Sequence, residues 1–392
     1  MPPIPRLRDY AGPHVLSYGF RLFYLIGALF SGLSVLVWLA MLGGDPPRIG
    51  VFEARDWHIH ELLFGFLPAI IGGYVLTAVP NWTGRFPVQG APVVVLALVW
   101  GAGRIAILLS GVLGAAATMA VDCAFLALLI AAVLREIAAS GSPRNGGIAA
   151  VVTLLLAGNA IFHIEAWTGG TSDLAWRIGV ATVIGLITMI AGRIVPSFTR
   201  NWLARRKPGP LPRPIGWFDT VCVGAAFGSL LFWSFMPYGA AASAPLAGAG
   251  VLHAVRLVRW AGYRTLRNPL VFIMHVAYAF IPAGFVLTAF SALGAGAPSA
   301  GVHAFMAGAA GTMVLAVMTR TSLGLTGRAR KADTGTQIVY ALVVTGAVLR
   351  ILAALWPASP ALLYAGGAAW AAAYIGFVAV YWRVLTGPRA AP

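Results

Sequence analysis

The chain has 392 residues, of which 59% are apolar and 10% charged, against roughly 45–50% and about 25% in soluble globular proteins. A water-soluble enzyme is thereby excluded. The net charge of +16, from 27 Lys and Arg against 11 Asp and Glu, falls in short polar connections and is a topology signal, so nucleic acid is not an expected partner. Cys123 and Cys222 lie in long apolar runs without a CxxC spacing and read as packing residues, not as a disulfide or zinc framework. The first apolar run is long enough to span a membrane, so the N-terminus is expected to be retained and not cleaved as a signal peptide.

A bilayer core about 30 Å thick takes roughly 20 apolar helical residues. The Gly, Pro and Arg punctuation predicts twelve such spans, at 20–42, 58–79, 91–112, 115–138, 147–167, 174–196, 217–237, 240–261, 270–292, 299–322, 337–356 and 361–384. The expected fold is all-α, a single integral membrane domain over residues 1–392 with the lipid bilayer as its first partner. Basic residues collect on alternate connections: Arg6 and Arg8, Arg85, Arg135 and Arg144, the Arg200–Arg213 stretch, Arg256 to Arg267, Arg328 to Lys331, and Arg389. The opposite side has Arg48 and Arg55, offset by Asp45, Glu53 and Asp56. Short basic loops stay cytoplasmic, so both termini are expected there. The segment 197–216, with Pro208, Pro210, Pro212 and Pro214, reads as a stiff cytoplasmic linker between six spans and six.

Span 2 ends in Val79-Pro80-Asn81-Trp82-Thr83-Gly84-Arg85 and span 6 in Val195-Pro196-Ser197-Phe198-Thr199-Arg200, with a looser echo at Thr319-Arg320 and Thr326-Gly327-Arg328. The four-span interval suggests three arcs of four helices. The plainer alternative is that Pro, Thr and Arg are common at such helix ends. Glycine spacings such as Gly72-Gly73 and Gly308 with Gly311 fit close helix packing in lipid.

Ionisable groups within spans are expensive and point to function. Of seven histidines, His58 and His60 open span 2, His163 lies near the end of span 5, and His303 near the start of span 10. At 1.5 Å per residue these four share a depth within roughly 10 Å of the outer boundary. Imidazole is a common haem ligand and a good copper ligand. Residues two apart point to different sides of a helix, so His58 and His60 are not expected to hold one metal together unless His58 still belongs to the preceding loop. Glu61 and Glu165 are placed to orient the neighbouring histidines through hydrogen bonds, and Phe64 to pack one turn below His60. His14 and His253 read as interfacial or carbonyl-bonded residues. His275 is at another depth and is either a second metal site or a buried hydrogen-bonding residue. Arg21, Arg104, Arg193, Arg320 and Arg350 also lie in spans, where they either pair with carboxylates, haem propionates included, or extend to the head groups.

The stretch Trp57-His58-Ile59-His60-Glu61-Leu62-Leu63-Phe64-Gly65-Phe66, with Leu76 to Arg85, resembles the signature of the NnrS family of bacterial inner-membrane proteins. Further similar segments are Gly19-Phe20-Arg21, Asn159 to His163, Gly192 to Trp202, Tyr263-Arg264-Thr265 leading to His275, and His303 to Arg328. The resemblance implies a twelve-span protein containing haem b and copper, made in response to nitric oxide and tied to denitrification or nitrosative stress. Where similar proteins commonly carry Gly-His-Thr-Gly-Arg, this chain has Gly324-Leu325-Thr326-Gly327-Arg328, which puts copper in question. By a weaker analogy with haem-copper oxidases, a haem would sit near the outer ends of spans 2 and 10.

The expected site therefore comprises His58, His60, His303 and Arg21 as cofactor-binding residues. His58, His60, His163, His275 and His303 are metal candidates, and Glu61 and Glu165 support them. The expected function is handling of nitric oxide or a related small molecule, with a redox partner if turnover occurs. A small-solute transporter and a metal or haem assembly factor are the alternatives. Polar residues gathered at one face, not at the midplane, weigh against the transporter.

Overall fold

In the computed structural model, residues 10–43, 50–83, 86–140, 146–169, 173–206 and 208–390 are described. Twelve helices are long and apolar enough to cross a membrane, and no strand occurs among the described residues. They are α1 Gly19–Met41, α2 Ala54–Pro80, α3 Ala91–Leu108, α4 Ala115–Ala139, α5 Gly146–Thr168 and α6 Asp173–Leu203, followed by α7 Trp217–Phe235, α8 Ala240–Val258, α9 Pro269–Ala292, α10 Pro298–Leu325, α11 Thr334–Leu355 and α12 Pro360–Thr386. Each coincides with one of the twelve spans expected from hydropathy. Arg6, Arg8, Asp45, Arg48, Gly84, Arg85, Arg144 and Lys207, on which part of the orientation reading rests, lie outside the described residues.

The contacts divide the chain into two compact units: residues 1–179, 322–328 and 378–392, and residues 180–321 and 329–377. The grouping into three arcs of four helices rests on the sequence echoes alone. In the first unit α1 packs on α2, α3 on α4, and α4 on α5. In the second, α9 lies against α8 and α10, and α11 against α10.

Two local departures from regular helix were not legible in the hydropathy. Glu61–Phe66 in α2 and Ala304–Gly311 in α10 are π-helical, and each begins directly after a histidine, His60 and His303. Such widened turns cost backbone geometry and frequently accompany functional sites. The third departure concerns the linker: α6 continues through Pro196 to Leu203, so the irregular connection begins later than position 197. Thr199 returns its hydroxyl to the Val195 carbonyl at 2.9 Å, Arg200 donates to the Pro212 carbonyl, and the Arg206 guanidinium lies 3.7 Å over the Trp202 ring. These contacts carry the helix beyond the proline that would ordinarily end it.

Small residues permit close approach within the first unit. A Cβ at Gly73 would lie 2.9 Å from Phe23 Cβ, and one at Gly27 would meet Ile70. Without a hydrophobic force between helices in lipid, such packing supplies much of the association. Gly73→Val is expected to cost about 1–3 kcal/mol by overpacking, read as a lower thermal midpoint in detergent. Gly101→Val, with nothing within 4 Å of its Cβ position, should leave the midpoint unchanged.

Candidate metal centre

The first unit encloses a polar cluster built from α2, α3, α4 and α5. His60, Glu61, Arg104, Asp122, Asn159 and His163 are all buried, with His60 and Asn159 at 0% exposure. The Arg104 Nη1 donates to both Glu61 oxygens, at 2.8 and 2.9 Å, and its Nη2 donates to Asp122 Oδ1. One guanidinium thus bridges carboxylates from two other helices, for which its planar fork suits it. Asp122 Oδ2 accepts from Asn159 Nδ2 at 2.7 Å and lies 3.2 Å from His60 Nε2 and 3.0 Å from His163 Nε2. His60 Nε2 also donates to Asn159 Oδ1 at 3.1 Å, while its Nδ1 faces Glu61 Oε1 at 3.0 Å. His163 Nδ1 is buried with no hydrogen-bond partner.

The local sequence explains this convergence. Widening of the helix after His60 puts Glu61 toward Arg104. Gly65 leaves the space that the guanidinium fills, since a Cβ there would run into it. Gly103 does the same for Asp122, whose Oδ1 would lie 3.1 Å from an added Cβ. The Trp100 indole donates to the Gly65 carbonyl at 2.9 Å, closing one of the backbone acceptors left by the π turn. Around the imidazoles stand Phe162, Phe52 and Phe64, with ring centroids 5.1, 5.8 and 5.8 Å from that of His60.

His60, Asp122 and His163 each offer one ligand atom, and these atoms lie within 4.8 Å of one another. Bonds of about 2.0–2.1 Å at a tetrahedral angle place donor atoms about 3.3 Å apart, close to the observed nitrogen–oxygen separations. The Glu61 carboxylate on His60 Nδ1 is the support that fixes a ligating imidazole, and His163 is held by Asp122 through Nε2 with its Nδ1 unpartnered. The donor set fits a small transition-metal ion such as copper or zinc. It does not fit a haem at His60, because the side chains at its Nε2 and the aromatic rings around the imidazole leave room for an ion but not for a macrocycle.

The other expected site residues are distributed as follows. His58 points elsewhere and stacks on Trp38, with centroids 3.9 Å apart. Glu165 does not orient His163; it accepts from the backbone of Leu174 and Ala175, at 3.3 and 2.9 Å, and caps α6. Phe20 on α1 is level with Thr77, to whose hydroxyl its N–H donates. The neighbouring Arg21 is therefore about 25 Å along the helix from His60, and its Nη1 caps α12 through the Leu385 and Gly387 carbonyls.

In the second unit, His303 Nδ1 donates to the Ser299 carbonyl at 2.6 Å, which leaves its Nε2 as the nitrogen with a lone pair. That tautomer suits an axial haem ligand. His275 Nε2 donates to Thr199 Oγ1 at 2.8 Å, and its Nδ1 packs against Gly262. His253 donates to the Cys222 carbonyl and accepts from Tyr278, so it is a structural hydrogen-bonding residue. His14 is exposed. Among the other arginines, Arg193 is exposed and Arg320 lies 3.8 Å over the Phe198 ring.

Asp122 is the functional group the sequence reading missed. Its signal was available, as the only acidic residue in the apolar stretch 115–135, and the expense of a carboxylate at that depth marks it.

The fold and site define a multi-pass helical membrane protein with a buried histidine–carboxylate centre held near the ends of four helices. The chain belongs to the NnrS family: the family model described as NnrS protein matches residues 14–389, nearly its whole length. No curated protein matches it. Removing one partner from a buried charge cluster leaves the others uncompensated, so Arg104→Ala is expected to cost about 3–5 kcal/mol. Chemical unfolding in detergent checks this, and Arg104→Lys, with the charge but not the fork, should fall between.

Proposed function

We propose that this protein is a haem- and copper-containing inner-membrane protein that handles nitric oxide or a related nitrogen species. His60, Asp122 and His163 hold the copper, and His303 serves as an axial ligand of a b-type haem. The observation that carries this reading is the fully buried His60–Asp122–His163 group, supported by family membership. When bound, these groups supply one-electron couples and open coordination positions for a small ligand.

The chain's own residues prepare such a centre. Glu61 orients the His60 ring through Nδ1, and Asn159 holds Asp122 in place. Arg104 offsets the two carboxylates. Phe52 and Phe162, exposed by 2% and 0%, keep bulk water from the imidazoles. A small uncharged molecule reaches such an apolar enclosure from lipid without the desolvation cost an ion would meet. The alternating basic loops support placing both termini in the cytoplasm and the metal centre near the periplasmic face. Leu325 ends α10, and the three proposed copper donors stand on other helices.

Metal analysis and absorption spectra of purified protein test these assignments. His60→Ala, Asp122→Ala and His163→Ala should each lower copper content while leaving the Soret band. His303→Ala should remove or shift the Soret band and leave copper. Unchanged copper in all three of the first group would overturn the metal assignment, and an unchanged spectrum in the last would overturn the haem ligand.

A further inference from the structure

A second collection of charge lies at the opposite end of the first unit. Arg21 at the start of α1, Arg328 in the turn after α10, and Arg389 beyond α12 are brought together from distant parts of the sequence. The turn and the tail are pinned to each other by the Ala390 N–H on the Thr326 carbonyl at 2.8 Å. Gly387 marks the junction. Its carbonyl accepts from Arg21 Nη1 at 2.7 Å, and its Cβ position lies 3.9 Å from Arg328 Nη2. Arg389 crosses Gly327, where an added Cβ would be 3.3 Å from its Nε. Gly327 has φ +76°, a conformation that favours glycine and turns the chain tightly enough for this approach.

The charges in this cluster are not balanced. Arg104, Arg256 and Arg55 each pair with an aspartate. Among the described residues no carboxylate pairs with Arg21, Arg328 or Arg389. Among the described residues, the C-terminus of α12 adds a partial negative charge there, equivalent to roughly half a charge. Arg21 is 3% exposed, and two donors in the cluster, Arg21 Nε and Arg328 Nη1, are buried without a hydrogen-bond partner. Tyr18 adjoins them: burial pushes its phenol up, and the charges of Arg389 and Arg21 pull against that.

We propose that Arg21, Arg328 and Arg389 form a binding site for a phosphate-class anion, supplied by an anionic phospholipid headgroup of that leaflet or by free phosphate. Converging guanidinium forks match the oxygens of a phosphate and carry the charge it needs. The site is distinct from the metal centre, about 25 Å away along the helix direction, and does not depend on what that centre holds.

The test uses the full chain in nanodiscs of phosphatidylcholine alone, of phosphatidylcholine with phosphatidylglycerol, and of phosphatidylcholine alone with added inorganic phosphate. The thermal midpoint is followed, and bound lipid is counted by native mass spectrometry. If the ligand is the headgroup, phosphatidylglycerol raises the midpoint and is retained. Arg328→Gln and Arg389→Gln should then weaken its binding about tenfold or more each, the worth of a charge-assisted hydrogen bond. Arg330→Gln, an exposed basic residue two positions from Arg328, serves as the control for general surface charge and should bind like the wild type. If the ligand is free phosphate, the same pattern appears in phosphatidylcholine discs with the ion. The proposal is overturned if neither anion raises the midpoint, or if Arg328→Gln and Arg389→Gln respond as Arg330→Gln does.

Discussion

The arrangement of the first unit depends on one guanidinium. Arg104 is buried in a span and is bonded to Glu61 from one helix and Asp122 from another. In a medium without water to screen them, three such charges are tolerable only if each closes on the others with good geometry. Their mutual demand fixes how α2, α3 and α4 face one another at this depth, and it brings the His60 and His163 rings to the same aspartate oxygen. The glycines at 65 and 103 follow from the same constraint, since a side chain at either position would press on a member of the cluster.

The second unit solves a related problem differently. Its buried Arg256 pairs with Asp219 at 2.9 Å, donates to the Thr188 carbonyl, and meets the Tyr278 hydroxyl, which donates in turn to His253. Every polar group in that chain has a partner, and the last donor ends on a backbone carbonyl. It is a closed network that ties α6, α7, α8 and α9 together. By contrast, the centre in the first unit retains a bare nitrogen on His163, and the arginine cluster at its far end retains two bare donors. Unsatisfied polar atoms in a buried setting are rare enough to need an explanation, and both proposed ligands would meet such atoms.

Much of the fold was legible in the residue order. Hydropathy located all twelve helices because each span must satisfy its backbone internally and expose apolar side chains to lipid. The helical angle between positions two apart separated His58 from His60, and the structure sends them to Trp38 and to Asp122 respectively. Sequence proximity was a poorer guide to partners. Glu165 is two residues from His163 yet caps the next helix, because side chains two apart diverge and a helix N-terminus attracts a carboxylate. Arg21 belongs to a motif shared with the family resemblance but sits far from the histidines, at the other end of α1.

The sequence alone determined that this is a twelve-span membrane protein, because span length and polarity are properties of consecutive residues. It also narrowed the chemistry to a few histidines and buried charges, since such groups are costly in lipid wherever they occur. Only the tertiary structure decided that His60 and His163 meet on Asp122 and that Arg21, Arg328 and Arg389 gather with no carboxylate partner among the described residues. Those residues stand on different helices, and which of them meet is set by how the helices pack and how their turns are widened, which no local pattern records.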